Sequence, residues 1–123
     1  MKKRIVVADD FDNTRWVIEF SLRTFDCEIL KAANGKEALA YFDGSPIDLL
    51  ITDLNMPEMN GIELVKNVKN IPQYNMIPVI MLTTETNPEL KERALGLHIT
   101  MWMLKPFKNE EFAKVVKRCL SIN

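Results

Sequence analysis

Three carboxylates, a hydroxyl and an ammonium group lie at or just after the ends of apolar runs in this 123-residue chain. They are Asp9 and Asp10 after the first run, Asp53 after the third, Thr83 ending the fourth and Lys105 after the fifth. Neighbouring carboxylates repel one another, and Mg²⁺, which prefers oxygen ligands, would compensate their charge. A carboxylate nucleophile beside a metal ion and an ammonium group meets the needs of phosphoryl transfer. These residue types predict a phosphoryl-accepting site, provided that the fold brings them together.

Asp53 is the candidate nucleophile. Residues 47–51 are apolar except for Asp48, a pattern typical of a strand buried on both faces of a parallel sheet. Turn signals follow at residues 56–57 and 60–61, so Asp53 is predicted where a central strand gives way to a loop. Ligands of open α/β sheets bind at this carboxyl edge. Taken alone, such an aspartate is more often a turn former or a helix cap, so the interpretation depends on the other four residues.

The elements that must position these residues follow from periodicity. Strand-like and helix-like patterns alternate five times, with strands predicted at residues 4–8, 27–31, 47–52, 79–83 and 100–104. Predicted helix caps follow them at Asp12 or Asn13, Asn34, Asn60, Asn87 and Asn109. This alternation predicts one α/β domain over residues 1–123, with helices on both faces of a parallel sheet.

Composition narrows the class of protein. Sixteen basic and seventeen acidic residues leave a net charge of −1, which does not indicate nucleic-acid binding. No apolar run is long enough to insert into a membrane, and the one near the N-terminus is too short for a signal peptide. Cys27 and Cys119 form no metal-type or redox-type pair and are interpreted as buried structural thiols. A cytoplasmic protein is expected.

Five motifs, in order, resemble the receiver domain of two-component response regulators. They are residues 8–10, residues 53–61, Thr83, Lys105 and the Pro106–Phe107 pair. The resemblance covers essentially the whole chain. It implies a doubly wound, flavodoxin-like fold with a five-stranded parallel sheet in the order 2-1-3-4-5 and five flanking helices. It also implies a phosphoacceptor switch that catalyses only its own phosphorylation and dephosphorylation, not an enzyme acting on other substrates.

The resemblance assigns roles at the predicted site. Asp53 would accept a phosphoryl group from the phosphohistidine of a histidine kinase or a phosphotransfer protein. Asp10, Asp53 and the backbone carbonyl of Asn55 would bind Mg²⁺ directly, and Asp9 would bind it through water. Asn55 and Glu85 lie at the two positions that tune dephosphorylation in such domains.

The resemblance also assigns the groups around the phosphoryl oxygens. Thr83 and Lys105 would contact these oxygens, and the peptide bond before Pro106 would be cis, although most such bonds are trans. Thr84 stands where a smaller residue is frequent, so it would narrow access to the phosphoryl group. Trp102 holds the position usually given to a switching Tyr or Phe.

Two other interpretations remain open. Residues 10–14 spell the D-x-D-x-T motif of haloacid-dehalogenase-type phosphatases, with Asp10 as nucleophile and Asp12 as the second carboxylate. That family places a further acidic pair after its lysine, which this chain lacks, and the interpretation leaves Asp53 without a role. The second is a phosphorelay intermediate that passes the phosphoryl group to another histidine domain.

The expected output is a protein contact. The chain ends at Asn123, directly after the fifth predicted helix, so a stand-alone receiver of the chemotaxis-regulator type is expected. Such a domain acts by docking to a target protein. The fourth helix has a thin apolar stripe, and the neighbouring fifth strand carries Trp102, a ring suited to a binding surface. The fourth helix, fifth strand and fifth helix are therefore the predicted partner face.

Overall fold

Five short runs rich in β-branched and apolar residues form one parallel sheet. A computed structural model describes residues 2–121. The strands are β1 (Lys3–Ala8), β2 (Cys27–Ala32), β3 (Leu49–Thr52), β4 (Val79–Thr83) and β5 (Met101–Leu104). Their order in the sheet is β2-β1-β3-β4-β5, and all neighbours run parallel. The predicted architecture and strand order are confirmed.

Helices connect the strands and cover both faces of the sheet. They are α1 (Asp12–Ser21), α2 (Gly35–Ala40), α3 (Gly61–Lys69), α4 (Pro88–Leu95) and α5 (Asn109–Cys119). A 3-10 turn (Pro72–Tyr74) precedes β4. Among residues 2–121, no helix combines the length and apolar character needed to cross a bilayer.

The sheet separates two apolar cores. On one face, α2, α3 and α4 contribute buried residues such as Ala38, Ile62, Val65 and Ala94. On the other face, α1 and α5 contribute Ile18, Phe112 and Val116, with Leu22 and Leu120 beyond the helix ends. All four residues of β3 and all five of β4 are buried, as the apolar runs predict for central strands of a parallel sheet.

The predicted caps of three helices are confirmed and those of two are wrong. The side chains of Asn34, Asn60 and Asn87 accept hydrogen bonds from backbone N–H groups in the first turns of α2, α3 and α4, respectively. Helix α1 begins at Asp12 itself, with Phe11 at the N-cap position, and the Asp12 carboxylate pairs with Arg15 instead of capping. Helix α5 begins at Asn109 itself, so Asn109 is not the N-cap residue. Its side-chain oxygen instead accepts a hydrogen bond from the Ser21 hydroxyl of α1.

Helix α4 is the least firmly anchored of the five. Ala94 is its only buried residue, and Leu90 is half-buried. Because little apolar area fastens this helix to the sheet, small forces at its N-terminus can displace it.

Candidate functional site

The carboxyl ends of the strands align because main-chain hydrogen bonds carry the register past the strand ends. The Asp53 N–H donates to the Ala8 carbonyl at 2.9 Å, so the residue after β3 stays level with the end of β1. The Lys105 N–H likewise donates to the Thr83 carbonyl at 2.9 Å, which brings the residue after β5 level with the end of β4. The polar residues predicted from the sequence therefore share one edge of the sheet.

Lys105 connects two carboxylates across this edge. Its Nζ donates to Asp9 Oδ2 at 2.6 Å and to Asp53 Oδ2 at 2.9 Å. Asp9 is 1% exposed and Asp53 is 7% exposed, so both carboxylates are held largely away from solvent. The second oxygen of Asp53, Oδ1, accepts the Leu54 N–H at 2.6 Å. The Asp53 side chain is thus oriented from two sides.

Burial and ion pairing act together on the charges of the site. Burial raises the pKa of the Asp9 carboxyl, and its hydrogen bonds with Lys105 and the Phe11 N–H only partly offset this effect. Burial also acts to lower the pKa of Lys105, but the hydrogen bonds to Asp9 and Asp53 outweigh it and the net change is upward. Lys105 therefore stays protonated and supplies a fixed positive charge.

The three aspartates meet the requirements of a metal site. Asp9, Asp10 and Asp53 each place a carboxylate oxygen within 4.8 Å of the others, and Asp10 is exposed to solvent. Three carboxylates against one ammonium leave two negative charges uncompensated. The donor atoms are hard oxygens, the ligand type that Mg²⁺ prefers, and the exposed side leaves room for the waters that this ion retains. The set fits a hard divalent cation.

Two loops meet beside the aspartates. Asn55 Nδ2 donates to Glu85 Oε1 at 3.5 Å, which connects the loop after β3 with the loop after β4. Thr83, buried at the end of β4, accepts the Glu85 N–H on its hydroxyl oxygen at 3.2 Å. Glu85 Oε2 accepts the Thr86 and Asn87 N–H groups, at 3.1 and 3.2 Å. Glu85 thus connects the site with the N-terminus of α4.

The remaining predicted residues lie around this centre. Thr84 is exposed and, with Lys105, lines a cavity of about 410 Å³ bounded by α1 and the loop after β5. The peptide bond between Lys105 and Pro106 is cis. Trp102 is half-buried and packs against the core on the face of the sheet that α2, α3 and α4 cover. Asp12, the second carboxylate of the phosphatase motif, has a side chain 93% exposed and does not belong to the aspartate cluster.

Two groups at the site were not predicted from the sequence. The Leu54 N–H orients Asp53, and no side-chain pattern could indicate a main-chain donor. Arg15 donates to the Asp9 carbonyl at 2.5 Å from the first turns of α1. Its only sequence signal is a cation placed just inside the helix that follows the acidic pair.

Comparison with known proteins agrees with this geometry. Residues 5–117 match the family model of the response regulator receiver domain. The chain belongs to this family. Chemotaxis protein CheY1 of Helicobacter pylori is 34% identical over 122 residues, which are 98% of each chain. The chemotaxis protein CheY homolog of Campylobacter jejuni is 38% identical over 106 residues, covering 85% of this chain and 82% of the relative.

Solved receiver structures share the fold closely. The chemotaxis response regulator CheY4 of Vibrio cholerae superimposes with a TM-score of 0.89 at 38% identity, covering 98% of this chain and 100% of the other. The expected resemblance to receiver domains of the chemotaxis type is therefore confirmed.

Proposed function

We propose that this receiver domain accepts a phosphoryl group on Asp53 in a Mg²⁺-dependent reaction and then switches a protein-binding face. The observation that carries the proposal is the placement of Asp53 beside both Asp9–Asp10 and Lys105. The donor is the phosphohistidine of a histidine kinase or phosphotransfer protein. The chemotaxis relatives support a role in cytoplasmic two-component signalling for this chain.

The chemistry of the transfer is assigned to the chain's own groups. An Asp53 oxygen attacks phosphorus, the new O–P bond forms as the P–N bond to the donor histidine breaks, and the imidazole leaves with the electron pair. Asp9, Asp10, Asp53 and the Asn55 carbonyl would hold Mg²⁺, which when bound neutralises charge on the phosphoryl oxygens. The Lys105 ammonium supplies a second positive charge.

Thr83 is assigned the remaining contact with the phosphoryl group. Its hydroxyl oxygen accepts the Glu85 N–H, and within residues 2–121 its own proton has no hydrogen-bond acceptor. That proton is free to donate to a phosphoryl oxygen. Movement of Thr83 toward the phosphoryl group would then pull on Glu85 and on the loop that leads into α4.

Transfer from a small donor tests the proposal directly. Incubation with acetyl phosphate and Mg²⁺, followed by mass mapping, should place one phosphoryl group on Asp53. Omission of Mg²⁺ should abolish the label. A label on any other residue of the cluster would contradict the proposed acceptor.

Removal of the Thr84 methyl and hydroxyl groups should shorten the lifetime of the phosphoryl group. Asn55 and Glu85 already lie together at 3.5 Å, where they can position a water, whereas Thr84 lines the adjacent cavity and crowds the approach. Thr84→Ala should lose phosphate at least about twofold faster, equivalent to about 0.4 kcal/mol in barrier. Thr86→Ala, in the same exposed loop, should match the unmodified chain. A slower loss in Thr84→Ala would show that the crowding argument is wrong.

The proposed output face consists of α4, β5 and α5, with Trp102 as its reporter. Phosphorylation that draws Thr83 away from Glu85 should shift α4, whose only buried anchor is Ala94, and change the packing around Trp102. With Trp16→Phe removing the other indole, beryllofluoride and Mg²⁺ should produce a saturable change in Trp102 emission. Asp53→Asn in the same background should show none. An unchanged Trp102 signal in the acceptor-competent chain would refute this route.

A further inference from the structure

The turn between β1 and α1 is held by an arginine from the helix. Arg15 Nη1 donates to the main-chain carbonyl of Asp9 at 2.5 Å, and Nη2 pairs with the Asp12 carboxylate. The Arg15 side chain is only 16% exposed, whereas its partner Asp12 is 93% exposed. The arginine is therefore folded back against the turn, and its position is not that of a freely solvated helix residue.

The carbonyl that Arg15 binds belongs to the peptide group leading into Asp10. On the other side of Asp10, the Phe11 N–H donates to Asp9 Oδ1 at 3.0 Å. Both peptide groups flanking Asp10 are thus fixed. Within residues 2–121 the Asp10 carboxylate itself has no hydrogen-bond donor, although it is one of the three clustered carboxylates. Its position depends on the main chain that carries it.

We propose that Arg15 is the positioning residue of the acidic pair and thereby sets the affinity of the site for a divalent cation. The inference rests on the proposed function, because it concerns the same metal-binding carboxylates. Arg15 touches neither cation nor phosphoryl group in this role. The hydrogen bond from Arg15 to the Asp9 carbonyl fixes the plane of the Asp9–Asp10 peptide group. The orientation of that plane places the Asp10 carboxylate near those of Asp9 and Asp53.

Charge and positioning predict opposite results when Arg15 is replaced. A guanidinium near the cluster repels a cation, so removing its charge alone should tighten Mg²⁺ binding. Loss of the bond to the Asp9 carbonyl should instead weaken binding, because Asp10 is no longer held in place. Weaker binding after the replacement therefore requires a positioning effect that exceeds the charge effect.

Mg²⁺ titrations followed by the NMR shifts of backbone amides around the site measure the affinity. Arg15→Met keeps the apolar stem without its donors and should weaken Mg²⁺ binding about tenfold, the low end for loss of an outer-shell partner. Arg15→Lys restores one donor and should recover part of the loss. Arg23→Met is the matched control, because the Arg23 guanidinium lies 3.9 Å from the Phe20 ring centroid and carries the same charge. It should leave the affinity unchanged.

A second readout separates positioning from general damage to the fold. With acetyl phosphate as donor, Arg15→Met should be slow at low Mg²⁺ and regain the rate of the unmodified chain when Mg²⁺ saturates. A structural defect would lower the rate at every concentration of metal. Thermal unfolding without metal checks that Arg15→Met folds. If Arg15→Met does not fold, Arg15→Gln replaces it, with the same expected weakening of Mg²⁺ binding.

The outcomes are distinct. Unchanged or tighter Mg²⁺ binding in Arg15→Met, or in Arg15→Gln where that variant stands in, overturns the positioning role. Weakening of the same size in Arg23→Met also overturns it, because the effect would then not depend on the bond to the Asp9 carbonyl. Failure of the unmodified chain to bind Mg²⁺, or equal binding by Asp10→Asn, overturns the proposed function itself.

Discussion

Asp53→Asn should reduce phosphorylation by acetyl phosphate at least about 100-fold, which corresponds to about 2.7 kcal/mol of barrier. The amide keeps the size of the side chain and can still meet Lys105, but it lacks the anionic oxygen that attacks phosphorus. The measurement is the labelled fraction of intact protein at a fixed time, followed by mapping of any residual label.

One matched variant, Asp12→Asn, sharpens this result. Asp12→Asn should label normally, because its carboxylate is 93% exposed and lies outside the aspartate cluster. A phosphatase of the D-x-D-x-T type needs both Asp10 and Asp12, so it would lose activity in Asp12→Asn and retain label in Asp53→Asn. A phosphoryl label on Asp10 that persists in Asp53→Asn would support the phosphatase interpretation.

Gly61→Ala should destabilise the fold by about 2–3 kcal/mol and disturb the acceptor at the same time. A Cβ at this position would lie 2.2 Å from the Asp53 carbonyl oxygen and 3.0 Å from Leu54 Cα. These are main-chain atoms, so no side-chain rotation relieves the contact. The Gly61 N–H also donates to the Leu54 carbonyl at 2.7 Å, and any shift of α3 that relieves the contact strains this bond.

The measurement is the midpoint of thermal unfolding together with the rate of Asp53 labelling. A fall on the order of 10 °C is expected, with slower labelling in the protein that remains folded. Gly96→Ala is the matched control, because its nearest contact would be the Arg93 carbonyl oxygen at 3.4 Å and its φ is −65°. It should be neutral or stabilise by about 0.4–1 kcal/mol. Equal effects in the two variants would contradict the role of close approach at Gly61.

The parts of the fold that follow from local pattern were predictable from sequence. Apolar runs of four to five residues separated by amphipathic segments specify parallel strands and covering helices. The carboxyl ends of parallel strands must share an edge, so Asp9, Asp53 and Lys105 had to converge. Their separation in sequence does not obscure this convergence, because it follows from the direction of the strands.

The parts that depend on tertiary contacts were not predictable in the same way. Asn109 is a good capping residue, but in the fold its side chain accepts the Ser21 hydroxyl of another helix. Asp12 could cap α1, yet it pairs with Arg15, which also reaches the Asp9 carbonyl. Each outcome requires knowing how two elements approach one another.

The bridge from Lys105 to Asp9 and Asp53 has a consequence for how this protein matures. Lys105 and Asp9 are 96 positions apart in the sequence, and Lys105 and Asp53 are 52 positions apart, so both contacts are long-range. Loop closure of this span is slow, and the bridge can form only after β5 has docked on β4. A chain still emerging from the ribosome has Asp9, Asp10 and Asp53 before it has Lys105, so the three carboxylates lack this ammonium partner until the fifth strand has been synthesised and has docked.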